Sequence, residues 1–220
     1  MKFFHSIILD QFQYTLSPEY LSSNSLYAIL NSQDMKQENN METWNAYTAD
    51  GHLTDHILTR GEAIPDGLYH LVVECIIRHR DGSTLFMQRD STKPSYPDYY
   101  EATAGGSALF GEIAGQAILR EIREETGIEL TADQLRHHTH FVAHDDQCIF
   151  HCYWAETDWD KSAIQLQADE TSHYIWVSKE DLKDFLETEL VIPRQKNYVE
   201  SLFLEQEQGK SENETQYNMR

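Results

Sequence analysis

The sequence predicts an α/β protein in which a mixed sheet lies between helices. Three observations carry that reading. Residues 68–78, LYHLVVECIIR, are rich in β-branched side chains and read as a central strand. Residues 109–127 carry the strongest helical pattern in the chain. Strand-like segments and hairpin turns flank that helix, so the order strands, helix, strands, helix suggests an α/β/α sandwich.

Taken in order, residues 43–47 read as a strand, Asp50-Gly51 as a turn and residues 56–59 as a second short strand. Pro65-Asp66-Gly67 turns the chain into the central strand. Asp81-Gly82 reverses it, and residues 84–88 return as the hairpin partner. Two prolines make residues 93–98 a loop. Thr131 caps a short helical turn through Leu135. Residues 139–143 and 149–155 read as two strands about a turn at Asp145-Asp146, and residues 173–177 as the last strand. Ser178, with Asp181 three residues on, opens a helix through Leu186. Pro193 opens a final helix to about residue 204, with Tyr198, Val199 and Leu202 on one side.

Residues 1–40 differ from the rest, mixing short apolar patches with Ser, Asn and Gln and ending in the polar run 32–40. They are expected to be an N-terminal extension, or translated sequence upstream of a native start at Met41. Lys36-Gln37-Glu38 is compatible with a purine-rich ribosome-binding site just before that methionine. Residues 41–204 are expected to form the folded domain, and the polar residues 205–220 a disordered tail.

The formal net charge is −20. A surface that negative repels nucleic acid backbones and argues against a DNA or RNA binder. It would repel a phosphorylated small molecule too, unless a cation screens the site. No apolar run reaches the roughly 18–20 residues of a membrane helix. The opening MKFFHSIILD is interrupted by His5 and ended by Asp10, and it lacks a small-residue cleavage site, so it is not read as a signal peptide. Cys75, Cys148 and Cys152 contain no CxxC pair and read as buried thiols of a cytoplasmic protein. Strand alternation accounts for His151 and Cys152 without invoking zinc. His137, His138 and His140 read as partly exposed, since imidazole is a poor ligand for a hard cation.

The helix at 109–127 holds the chemistry. Gly111 precedes it and Gly127 suits a left-handed C-terminal cap. Ala114, Ile118 and Ile122, four apart, give a packing side. Glu121, Glu124 and Glu125, at spacings of three and four, share one face, which overlaps the side of Ala114 and Ala117. Like charges so placed cost roughly 0.2–0.5 kcal/mol per pair even when exposed. Mg²⁺ or Mn²⁺ would turn that repulsion into ligation, because a hard cation prefers carboxylate oxygens. The alternative for three glutamates alone is a solvated acidic face partnered by Arg120 and Arg123.

The full pattern goes further. Gly106, Glu112, Arg120-Glu121, Glu124-Glu125 and Gly127, followed by the aliphatic Ile128, resembles the Nudix box at every defined position. The similarity widens to about residues 41–190: Tyr69-His70-Leu71-Val72-Val73, Gln88-Arg89, Pro97 and residues 102–108 resemble the Nudix subgroup related to isopentenyl diphosphate isomerase. The resemblance implies a metal-dependent pyrophosphohydrolase with a mixed-sheet α/β/α sandwich, acting on a small-molecule diphosphate as a monomer or homodimer. It implies Glu121, Glu124 and Glu125 as metal ligands, with a backbone carbonyl at Gly105 or Gly106, and a structural ion pair between Glu112 and Arg120. Glu124 or Glu125 is the implied base, and Glu170 is the candidate ligand or base from outside the helix, or else an exposed loop acid. Arg89 and Lys93 stand where the related isomerases contact diphosphate; the alternative for each is a solvated loop cation. Tyr96, Tyr99 and Tyr100 are either base-stacking residues or loop anchors.

Two other functions compete. An isomerase of that subgroup would carry a reactive cysteine at residues 100–105 and an arginine in place of Glu121, and this chain has neither. A non-catalytic ligand sensor would be expected to lose box residues, and here the box is intact.

Overall fold

The computed structural model describes residues 41–204, so the expectations for residues 1–40 and 205–220 lie outside the described residues. Strands β1 (Thr43–Tyr47) and β2 (Leu53–Thr59) pair as an antiparallel hairpin. Trp44, Ala46 and Leu58 form its small core. Backbone bonds between Tyr47 and Tyr69, at 2.8 and 2.9 Å, tie it to the start of the central strand, and the Phe110 amide donates to the Thr43 carbonyl at 2.8 Å.

The second sheet has seven strands and mixed pairing. Its centre is β3 (His70–His79). On one edge β3 pairs in parallel with β8 (Cys148–Thr157), which pairs antiparallel with β7 (Leu135–Ala143). On the other edge β3 pairs antiparallel with β6 (Thr103–Ser107), from Val72 opposite Ser107 to Ile76 opposite Thr103. Strand β4 (Thr84–Arg89) pairs with β3 only at Arg78 and Thr84, then diverges to pair with β5 (Tyr100–Glu101) and β9 (Thr171–Val177). That divergence opens the space in which the candidate site lies.

Helix α1 (Ala114–Thr126) covers one face. Ala117, Ile118 and Ile122 are fully buried in one cluster with Val73, Cys75 and Ile77 of β3. Each buried isoleucine is worth roughly 1.5–3 kcal/mol, enough to anchor a helix whose outer face is acidic. Helices α2 (Leu182–Thr188) and α3 (Pro193–Val199) cover the other face, where Ile76, Phe86 and Cys152 pack with Leu182, Leu186, Tyr198 and Val199. The expected α/β/α layering is therefore the observed one. Among the described residues no helix is long and apolar enough to cross a membrane.

The differences from sequence expectation lie at element edges. Helix α1 begins at Ala114 rather than near residue 109, because Gly111 (φ 87°) turns the chain before it. The Gln116 side chain accepts the Ile113 amide at 3.2 Å, and Gly127 (φ 72°) ends the helix in the left-handed region as expected. The Ser178 hydroxyl donates to the Asp181 carboxylate at 2.7 Å and accepts the Asp181 amide at 3.1 Å, although regular helix starts only at Leu182. Strand β7 is longer than expected and carries a bulge between His137 and Thr139, so the exposed histidines are strand residues rather than loop. Glycine-rich β6 has no apolar alternation to announce it; its pairing with β3 makes it a strand.

Candidate active site

Arg120 organises the acidic face of α1. Its Nε and Nη2 donate to the two Glu112 carboxylate oxygens at 2.8 and 2.9 Å, the expected ion pair. Nη2 also donates to the Ser107 carbonyl at 3.1 Å, and Nη1 to Glu121 and Glu124 at 2.8 and 3.1 Å. The Glu112 carboxylate accepts the Leu109 amide at 2.9 Å as well, which fixes the loop ahead of the helix. One cation thus holds three carboxylates. Glu121 is well covered, and burial raises its pKa despite the adjacent Arg120. Glu124 is the most exposed of the three, with 45% of its side chain accessible.

Glu125 is held by the backbone of β6. It accepts the Gly105 amide at 3.1 Å, and loss of hydration holds its pKa well above the ordinary carboxylate value. Glu121, Glu101 and Glu170 push it in the same direction. The two glycines opposite α1 are there for room. A Cβ on Gly106 would lie 2.5 Å from Glu121 Oε1, and one on Gly105 would lie 2.2 Å from the Val73 carbonyl oxygen.

A cavity of about 220 Å³ opens at this point, where β3 and β4 part. Gly105, Gly106, Glu125, Arg89 and Glu170 all line it, as do Glu74, Glu101 and Arg194. The expected phosphate contacts are engaged with carboxylates: Arg89 pairs with Glu101, and Lys93 with Glu170. Antiparallel pairing of β4 with β9 sets Arg89 opposite Thr171 and so brings Glu170 beside Lys93. Tyr96 packs on Tyr99, Tyr100 packs on Phe185, and none of the three lines the cavity.

Three participants escaped sequence reasoning. Glu101 lies beside Arg89, and burial raises its pKa in spite of that cation. Glu74 is buried within β3 and takes both Nη atoms of Arg194, at 2.6 and 2.7 Å. A clue was present: a lone carboxylate inside the apolar run Leu71 to Ile77 demands a cationic partner, since an unpaired buried charge is costly. Nothing local named Arg194, which stands 120 residues away.

Among the described residues no three His, Cys, Asp or Glu side chains are posed together so as to hold a metal ion. Arg120 takes Glu121 and Glu124, and His151 and Cys152 face opposite sides of β8, in separate clusters. The α1 site nonetheless fits a hard divalent cation in two respects. Its donors are carboxylate and carbonyl oxygens, and the absent side chain of Gly106 leaves Glu121 clear beside the cavity wall.

Comparison with known proteins identifies the family. The NUDIX domain family model matches residues 68–201. An uncharacterised Nudix hydrolase of Listeria innocua is 36% identical over 146 residues, covering 65% of this chain and 83% of that protein. A second from Listeria monocytogenes is 34% identical over 146 residues, with the same coverage. The crystal structure of DR0079 from Deinococcus radiodurans matches with a TM-score of 0.58 at 18% identity, over 74% of this chain and 99% of that one, a likeness of fold. With box, fold and relatives in agreement, the chain belongs to the Nudix hydrolase family.

Proposed function

We propose that this protein hydrolyses the diphosphate linkage of a nucleoside diphosphate derivative or similar small molecule, with Mg²⁺ or Mn²⁺ held by Glu121, Glu124, Glu125 and the carbonyl oxygen of Gly105. The observation that carries the reading is Glu125: a partly buried carboxylate, among like charges, on the wall of a cavity also bounded by Gly105 and Glu170. Such a group is costly in isolation and is expected where its charge has a use. A bound divalent cation would neutralise diphosphate oxygens and lower the pKa of water.

The chain's own groups supply the rest. Arg89 and Lys93 bind the outer phosphate oxygens, exchanging their carboxylate partners for substrate. Glu124 or Glu125 takes the proton of the attacking water, with Glu170 as the further candidate from outside the helix. Glu112 orients Arg120, which keeps the acidic face in register. Hydrolysis is favoured over isomerisation because Cys75, opposite Ala104 in the β3–β6 pairing, is completely buried and burial raises its pKa, leaving an inert thiol.

The test is chromatographic detection of phosphomonoester products after the purified protein is incubated with a diphosphate library, with Mg²⁺, with Mn²⁺ and with chelator. Metal-dependent cleavage of at least one compound is the expected result. Allylic isomerisation of isopentenyl diphosphate, or tight ligand binding without turnover across the library, would overturn it.

A further inference from the structure

A cluster of histidines lies outside the diphosphate site. Gly106 of β6, Val73 of β3, His151 of β8 and His140 of β7 stand opposite one another in register, so the row that begins beside α1 ends at two histidines near the edge of the sheet. A third histidine joins them. The bulge in β7 sets His137 opposite Tyr153 and Thr139 opposite Cys152, which leaves His138 as the extra residue. His138 stacks on Tyr198 of the opposite layer, while the rings of His137 and His140 gather around His151.

The three rings form a triangle. Their centroids are 5.6 Å apart for His137 and His151, 5.6 Å for His140 and His151, and 6.0 Å for His137 and His140. Imidazole nitrogens bind zinc at about 2.0–2.1 Å, which places the rings of a tetrahedral site roughly 5 Å apart from centre to centre. As they stand the rings do not converge on one point. Closing the triangle takes rotation of the side chains and a shift of about 1 Å or less per pair. His137 and His140 are exposed, and His151 is buried and fixes the third corner.

The donor set selects the ion. Burial and the two neighbouring imidazoles keep His151 in its neutral form, and no carboxylate is among the groups acting on it. Three neutral imidazoles offer nitrogen lone pairs without an oxygen donor, which suits Zn²⁺, Co²⁺ or Ni²⁺ and not Mg²⁺. A phosphate or carboxylate would instead need protonated rings, and the burial of His151 opposes that.

We propose that His137, His140 and His151 bind one divalent cation of the zinc class, at a site separate from the acidic face of α1 and with its fourth position open to water. The ion ties the β7 strand to β8.

Co²⁺ reports such a site, because a tetrahedral nitrogen-rich complex absorbs visible light strongly and an octahedral oxygen-bound ion absorbs weakly. The full chain, without an affinity tag and in excess Mg²⁺, is titrated with Co²⁺ and then with Zn²⁺. A strong visible band that saturates at one equivalent and is bleached by Zn²⁺ is the expected result. His137→Gln and His140→Gln are each expected to weaken Co²⁺ binding at least about tenfold, and His138→Gln to change it by less than about twofold. Both histidines of the first pair are exposed, and circular dichroism confirms that each variant is folded. A weak octahedral spectrum, a sulfur charge-transfer band that places the ion on a cysteine, or a strong band that survives both variants would remove the site. Cleavage supported by Mg²⁺ alone tests the hydrolase reading separately, so either can fail without the other.

Discussion

Arg120 grips Glu112 through two hydrogen bonds, Nε to Oε1 and Nη2 to Oε2, across eight residues of chain. The pair is mostly covered, with 18% and 21% of the two side chains accessible. Glu112→Gln weakens one half of the fork and leaves Arg120 under-partnered. The expected cost is about 1–3 kcal/mol. At about 2–4 °C per kcal/mol for a domain of this size, a thermal melt reads it directly. An unchanged melting temperature would show the pair to be ornamental.

Glu125 trades stability for activity. Glu125→Gln keeps an acceptor for the Gly105 amide and removes the charge, so turnover should fall about 100- to 10,000-fold. In metal-free buffer the variant should be the more stable protein. The sign follows from linkage: the folded pKa lies above the unfolded value of 4.5, so folding binds protons between the two. The wild type therefore loses stability as pH rises through the folded pKa, and the variant does not. Melting curves of both proteins with chelator, across pH 4 to 8, measure the gap, which should widen with pH.

The two glycines before the helix should fail differently. Gly106→Ala meets the tip of the Glu121 side chain, which can swing aside, so the fold should survive while metal-dependent turnover drops. Gly105→Ala meets the Val73 carbonyl at 2.2 Å and Glu74 Cα at 2.7 Å, both backbone. Overpacking of that kind typically costs about 1–3 kcal/mol or more. Circular dichroism melts alongside activity separate the two outcomes.

His151 makes stability depend on mild acid. It is buried beside His137 and His140, with ring centroids at 5.6 Å from each, and burial lowers its pKa to about 4. The unfolded imidazole, at 6.5, binds protons that the folded one refuses, so stability should rise with pH between about 4 and 6.5. His151→Phe should flatten that slope in melts over the same window; an identical slope would assign it to other groups.

Local sequence by itself determined most of the elements and the shared acidic face of α1. Four-residue apolar spacing and Gly127 set the helix and its C-terminal limit, and the box glutamates were legible because their spacing is intrinsic to one helix. What joins distant segments was decided only by the tertiary structure. The β7 bulge puts His137 and His140, three residues apart, on the same face as His151, against simple strand alternation. Glu101 joins the site because β5 pairs with β4, and Arg194 because α3 lies over β3. Periodicity reports which way a side chain faces; the partner it meets there depends on strand order and register, which no local pattern encodes.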